Sequence, residues 1–186
     1  MLFVDLYRLH DGTPVEIREI RADDGQRLRA SHARLSPESR YRRFLGAKPN
    51  LSESDARYLA DVDGCRHYAL VATTAVDGRA GEIIAVARFI ALPERPGTAE
   101  FAIVVGDAYQ RQGLASGLMD RLAAAARARG IARFRAVMLS DNAGIRHLLE
   151  RLAVGDVQTQ VRGTVTEMEM GLTARETLSE RLGAAA

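Results

Sequence analysis

Apolar residues crowd residues 99–105, AEFAIVV, where Phe101, Ile103 and Val105 alternate with Ala102 and Val104. A run this apolar predicts a strand buried on both faces. Gly106 and Asp107 end it, and 110–115 reads as a tight loop. Beyond the loop Leu114, Leu118, Leu122 and Ala126 recur every fourth residue with Met119 beside them, which is one face of a helix.

Similar patterns extend in both directions. Leu2, Val4 and Leu6 alternate in a first strand over 1–9, and Asp11-Gly12 turns into a second over 15–21. Asp23 or Asp24 caps a helix to about 34, Ser36-Pro37 starts a short one, and Ser52-x-x-Asp55 resembles a capping box for a third. Residues 68–76 and 82–92 read as antiparallel strands around an Asp77-Gly78 turn. After the long helix, closed by Gly130, come a strand over 133–139, a helix capped at 140–142, and strands over 157–161 and 165–172 about Gly163. The order predicts an α+β fold with a mixed sheet in one domain, 1–172, followed by a polar tail, 173–186.

At 186 residues the chain is long enough for one sound core. No apolar run approaches the roughly 20 residues that span a bilayer, and no secretory leader is expected at the N-terminus. Cys65 is the one cysteine, which points to a cytoplasmic, reducing location. Net charge is +2, and arginines are scattered among acids rather than stacked in a stripe, so neither nucleic acid nor membrane is an expected partner. The four histidines show no ligand spacing, and no metal is expected.

A strand, a tight loop and a helix N-terminus together form an anion site. First-turn N–H groups lack intrahelical partners, and the helix dipole favours negative charge there. Gly113 and Ala115 are small enough for a phosphate to reach the backbone, and Arg111 adds charge. As spacing alone the pattern is incomplete, because neither G-x-G-x-x-G nor a P-loop is present. An ordinary strand-to-helix turn fits the spacing equally well.

The run Gln110-x-x-Gly113-x-Ala115 resembles the acetyl-CoA signature of the GNAT superfamily of N-acetyltransferases, with Asp107 where that family often has proline. The order of elements is similar over nearly the whole chain. SPESRYRRF, the Asp61-x-Asp63 run and AEFAIVV are similar to the catalytic domain of bacterial Pat-type protein lysine acetyltransferases. The resemblance implies the GNAT fold, a mixed, mostly antiparallel central sheet flanked by helices. It implies acetyl-CoA as acyl donor and a protein lysine as acceptor, with a small-molecule amine as the alternative; a homodimer stays open. A non-catalytic acyl-CoA sensor is the rival from another class.

By the same resemblance, Gln110, Arg111, Gln112, Gly113, Leu114, Ala115 and Ser116 hold the pyrophosphate. The backbone of Ile103, Val104 and Val105 pairs with the pantetheine arm, and the Val105 amide meets the thioester oxygen. Asn142 contacts that arm or simply caps its helix. Glu100 removes the proton from the acceptor ammonium, which has no lone pair until it does; otherwise it is a strand-end carboxylate in solvent. Many family members carry a general-acid tyrosine where this chain has Leu149, leaving water or Ser140 to protonate the departing thiolate. Arg40, Tyr41, Arg43, Asp61 and Asp63 fall in segments that wall the acceptor side of that fold, or are solvated surface.

Overall fold

The computed structural model describes residues 4–74 and 81–172. The Asp77-Gly78 turn and the tail lie outside the described residues. The elements are β1 (Val4–Arg8), β2 (Pro14–Glu19), α1 (Gly25–Arg34), α2 (Pro37–Phe44), α3 (Glu53–Ala60), β3 (His67–Thr74) and β4 (Ile83–Ala91). Then follow β5 (Thr98–Val105), α4 (Leu114–Arg127), β6 (Arg133–Leu139), α5 (Ala143–Leu152), β7 (Ala153–Arg162) and β8 (Val165–Leu172). Among the described residues eight strands form one sheet in the order β1-β2-β3-β4-β5-β6-β8-β7. All pairs are antiparallel except β5 with β6. Among the described residues no helix is long and apolar enough to cross a membrane.

Each face of the sheet has its own apolar cluster. Leu118, Met119 and Leu122 of α4 pack on Phe89, Phe101 and Phe134. Leu28 of α1 and Ala56 and Ala60 of α3 pack on Val71, Ile83 and Val86. The capping signals in the sequence hold: the Ser36 hydroxyl accepts from the Ser39 N–H, and Ser52 and Asp55 form the capping box of α3.

Three expectations need correction. The parallel ladder between β5 and β6 holds only at Thr98–Arg133, Ala99–Phe134 and Glu100–Arg135. Beyond Glu100 the strands part, so Ala102 to Val105 are half-buried rather than buried on both faces. In β1 the alternation is inverted: Val4 and Leu6 are exposed, while Asp5 and Tyr7 turn inward. Arg121 of α4 explains this, since it donates to Asp5 and lies over the Tyr7 ring, and the Tyr7 hydroxyl donates to the Gly113 carbonyl. Finally, Asp24 is not the side-chain cap of α1. It is fully buried, and its two oxygens accept from both Nη atoms of Arg18 at 2.7 and 2.8 Å.

Candidate active site

Where β5 and β6 part, a cleft of about 870 Å³ opens. One wall is β5 beyond Glu100 and the loop to α4; the other is the middle of β6 and the first turns of α5. Gly106 donates its N–H to Ile84 of β4 at 2.8 Å. Main-chain groups alternate sides along a strand, so the Val105 N–H and carbonyl face the opening instead. The Val105 carbonyl is already engaged by Gln110 Nε2 at 3.1 Å. That leaves an edge of β5 able to pair with an extended, amide-bearing ligand, as an added strand would.

The loop completes an anion cradle. Arg111 (φ 59°) and Gly113 (φ 82°) both take the left-handed conformation, the kind of turn backbone in which successive N–H groups can gather into an anion-binding concavity. The structure supplies a further reason for glycine at 113. A Cβ there would sit 2.5 Å from His10 Nε2, because the β1–β2 hairpin rests on the loop and the His10 N–H donates to the Gln112 carbonyl.

Of the sequence-predicted residues, Ile103, Val104, Val105, Gln110, Arg111, Gly113, Ala115, Ser116 and Asn142 line the cleft. Gln112 and Leu114 do not; the Leu114 side chain is buried in the core and anchors the start of α4. Asn142 both lines the cleft and caps α5, accepting from the Ile145 N–H at 3.3 Å. Glu100 stands at the last position of β5 that pairs with β6, exposed, with Arg135 at 3.9 Å, and is not part of the cleft wall. Leu149 is buried in the core. The Ser140 hydroxyl is paired with Thr166 at 2.8 Å, away from the cleft, which speaks against its serving as proton donor.

The acceptor-side group divides. The Asp63 carboxylate accepts from the backbone N–H groups of Cys65, Arg66 and His67, and those bonds hold it below the ordinary aspartate range. It organises the turn into β3. Arg40 donates to the Pro49 carbonyl, and Tyr41 is exposed. Arg43 alone of the five reaches the cleft.

Sequence reasoning missed two contributions. Tyr7 and His10 wall the cleft from a hairpin about a hundred residues upstream, with no local signal to mark them. Asp107 ties α2 across the mouth: it accepts from the Ser36 N–H (2.9 Å), the Ser36 hydroxyl (2.8 Å) and the Ser39 hydroxyl (2.7 Å). Burial pushes this carboxyl up, but the Ser36 N–H and the two hydroxyls outweigh it and hold it below the usual aspartate value. A depressed carboxyl stabilises the fold above its unfolded pKa and loses that contribution as pH falls through the folded one. Asp107→Asn is therefore expected to lower stability by about 1 kcal/mol at pH 7. In denaturant titrations the difference should vanish below the ordinary aspartate range; an unchanged pH 7 midpoint would refute the clamp.

Comparison with known proteins agrees with this geometry. The family model described as "Acetyltransferase (GNAT) family" matches residues 31–153. The chain belongs to the GNAT acetyltransferase family. It is 32% identical over 154 residues to the acetyltransferase Pat of Mycolicibacterium smegmatis, covering 83% of this chain and 45% of that one. An acetyltransferase of Pseudomonas aeruginosa is 36% identical over 140 residues, covering 75% of this chain and 74% of its own. The crystal structure of the GNAT domain of S. lividans PAT superposes with a TM-score of 0.77 at 31% identity, over 91% of this chain and 97% of that one. The GNAT chain thus spans less than half the length of the Mycolicibacterium relative.

Proposed function

We propose that this GNAT domain moves an acetyl group from acetyl-CoA to a primary amine, with a protein lysine as the acceptor. The observation that carries the reading is the splay of β5 from β6 directly beside the two left-handed residues of the 110–116 loop. One feature suits an amide-bearing arm and the other a pyrophosphate, and acetyl-CoA carries both. The choice of protein lysine rests on the likeness to Pat, and a small amine is the alternative acceptor.

In this reading the loop N–H groups bind the pyrophosphate, and the edge of β5 aligns the arm. Glu100 takes a proton from the acceptor ammonium, directly or through water. The freed amine nitrogen then bonds to the thioester carbonyl carbon, the carbon–sulfur bond breaks, and the electron pair leaves on sulfur. The Val105 N–H, on the open side of β5, meets the negative oxygen that forms in between in this reading. Water protonates the departing thiolate, since Leu149 and Ser140 do not.

Calorimetric titration with acetyl-CoA, with ATP and NAD as controls, tests this. Saturable binding of acetyl-CoA alone is expected, and a flat trace would remove the reading. Gly113→Val should weaken that binding at least tenfold, since valine strains at φ 82° and its Cβ would strike His10. A melting curve on the same sample separates lost binding from lost fold.

The burial of Leu149 in place of a proton-donating tyrosine favours a second reading, a sensor of acyl-CoA that turns over little. Steady-state assay against a panel of amines distinguishes the two.

A further inference from the structure

Two arginines are buried among the described residues, and only one of them has an acidic partner. Arg18 is 3% exposed and paired with Asp24. Arg88 of β4 is 4% exposed, and among the described residues no carboxylate lies within ion-pair distance of it. Its Nη1 meets only the Leu59 carbonyl and His67 Nε2, each at 3.1 Å. A buried charge without a counter-ion is costly, and one left unpaired calls for an anion.

Arg88 lies beside a small cavity of about 40 Å³ between α1, α2, α3 and the sheet. Arg43 of α2 lines the same cavity and likewise has no carboxylate within ion-pair distance among the described residues, though the charge of Glu100 acts on it. His32, 5% exposed, lines it too, and its Nε2 has no hydrogen-bond partner. Arg43 and Val104 line both this cavity and the large cleft, so the two spaces adjoin at β5. Burial, and next the charge of Arg43, push the Arg88 guanidinium down to about 9. Two like charges and an imidazole whose Nε2 has no partner among the described residues thus share the wall of a small, otherwise mostly apolar space with room for more than one water. A planar two-oxygen anion is the partner whose geometry a guanidinium fork matches, and a carboxylate is such an anion.

We propose that Arg43 and Arg88 form a subsite for a carboxylate carried by one of the two substrates. This inference rests on the acetyl-transfer reading above and names a chemical requirement on its acceptor or its acyl chain. On the acceptor the carboxylate is an acidic residue beside the target lysine, or the carboxylate of a free amino acid. On the acyl chain it is the far end of a dicarboxylic acyl group.

Two arms separate these sources. In the acyl arm, succinyl-CoA is titrated against butyryl-CoA, which has the same chain length without the charge. In the acceptor arm, acetyl transfer is followed to peptide pairs with glutamate or glutamine beside the lysine, and to free amino acids against their amides. A preference of at least tenfold for the charged member is expected in one arm. Arg88→Met should reduce it to less than twofold. Arg43→Gln, on a half-exposed position of α2, should reduce it likewise and guards against misfolding of the buried variant. Each readout is a ratio within one protein, so a general loss of activity does not imitate the effect. Acetyl-CoA binding without discrimination in either arm would overturn the subsite and leave acetyl transfer standing. Failure to bind acetyl-CoA at all would overturn both.

Discussion

Asp24→Ala is expected to destabilise the fold by about 3–5 kcal/mol, the range for removing one member of a buried ion pair. Asp24 is wholly shielded from solvent, and its carboxylate accepts from both Nη atoms of Arg18, from Arg27 Nη1 and from the Arg21 N–H. Truncation strands the Arg18 guanidinium, 3% exposed on β2 beneath α1, with Glu16 at 3.6 Å and the Glu19 carbonyl at 3.0 Å left to compensate in part. Equilibrium unfolding in urea measures the loss. Burial raises the Asp24 carboxyl, yet the hydrogen bonds from Arg18 and the Arg21 backbone, with the charge of Arg18, bring it below the ordinary aspartate value. Its contribution is therefore complete above that value and is lost as pH falls through the lower, folded pKa. Wild type and variant should converge in strong acid. A variant within 1 kcal/mol of wild type at pH 7 would mean the pair contributes no net stability.

The Asp24 pair also shows why part of the structure was legible and part was not. Strands and helices were readable because their signals are local: a period of two or four, a serine before a proline, a glycine after a helix. Asp24 carries the cap signal and sits beside a helix start, but its partner is Arg18, whose burial depends on α1 covering β2. The same limit inverted β1, where Leu6 is exposed because Arg121, 115 positions away, draws Asp5 and Tyr7 inward. The candidate site divides along this line. Gln110, Gly113 and Ala115 lie in one short run of sequence and matched a known signature. Tyr7, His10 and the Asp107 clamp depend on contacts between distant segments, and Arg88 was hidden within an apolar strand, IIAVARFIA. The parting of β5 from β6 has no sequence signal at all, because each strand alone has an ordinary pattern.

Glu100→Gln is expected to lower kcat about 10²- to 10⁴-fold, the usual contribution of a positioned general base. The acetyl-CoA dissociation constant should stay within twofold, because Glu100 lies outside the cleft wall. Position supports the assignment. Glu100 holds the last rung of the β5–β6 ladder, so its side chain stands at the threshold of the opening, on the same face as Ala102 and Val104. Two cations lie near it: Glu100 and Arg43 feel each other's charge, and Arg135 brings its Nη1 to 3.9 Å of Glu100 while its Nη2 donates to Glu167 at 2.9 Å. The Glu100 side chain is 49% exposed, so a water or an incoming ammonium has access to it. A carboxylate loosely held in this way is able to accept a proton, whereas Glu169, gripped by Arg95 at 2.6 Å and Arg133 at 2.7 Å, is committed to structure. The pH profile provides the discriminating readout: the ascending limb of kcat/KM should disappear in the glutamine variant. Glutamine keeps the size and loses the basicity, so a merely structural role would leave that limb in place. An unchanged kcat would move the base elsewhere, and a wild-type protein that binds acetyl-CoA but acetylates no amine would establish the sensor reading instead.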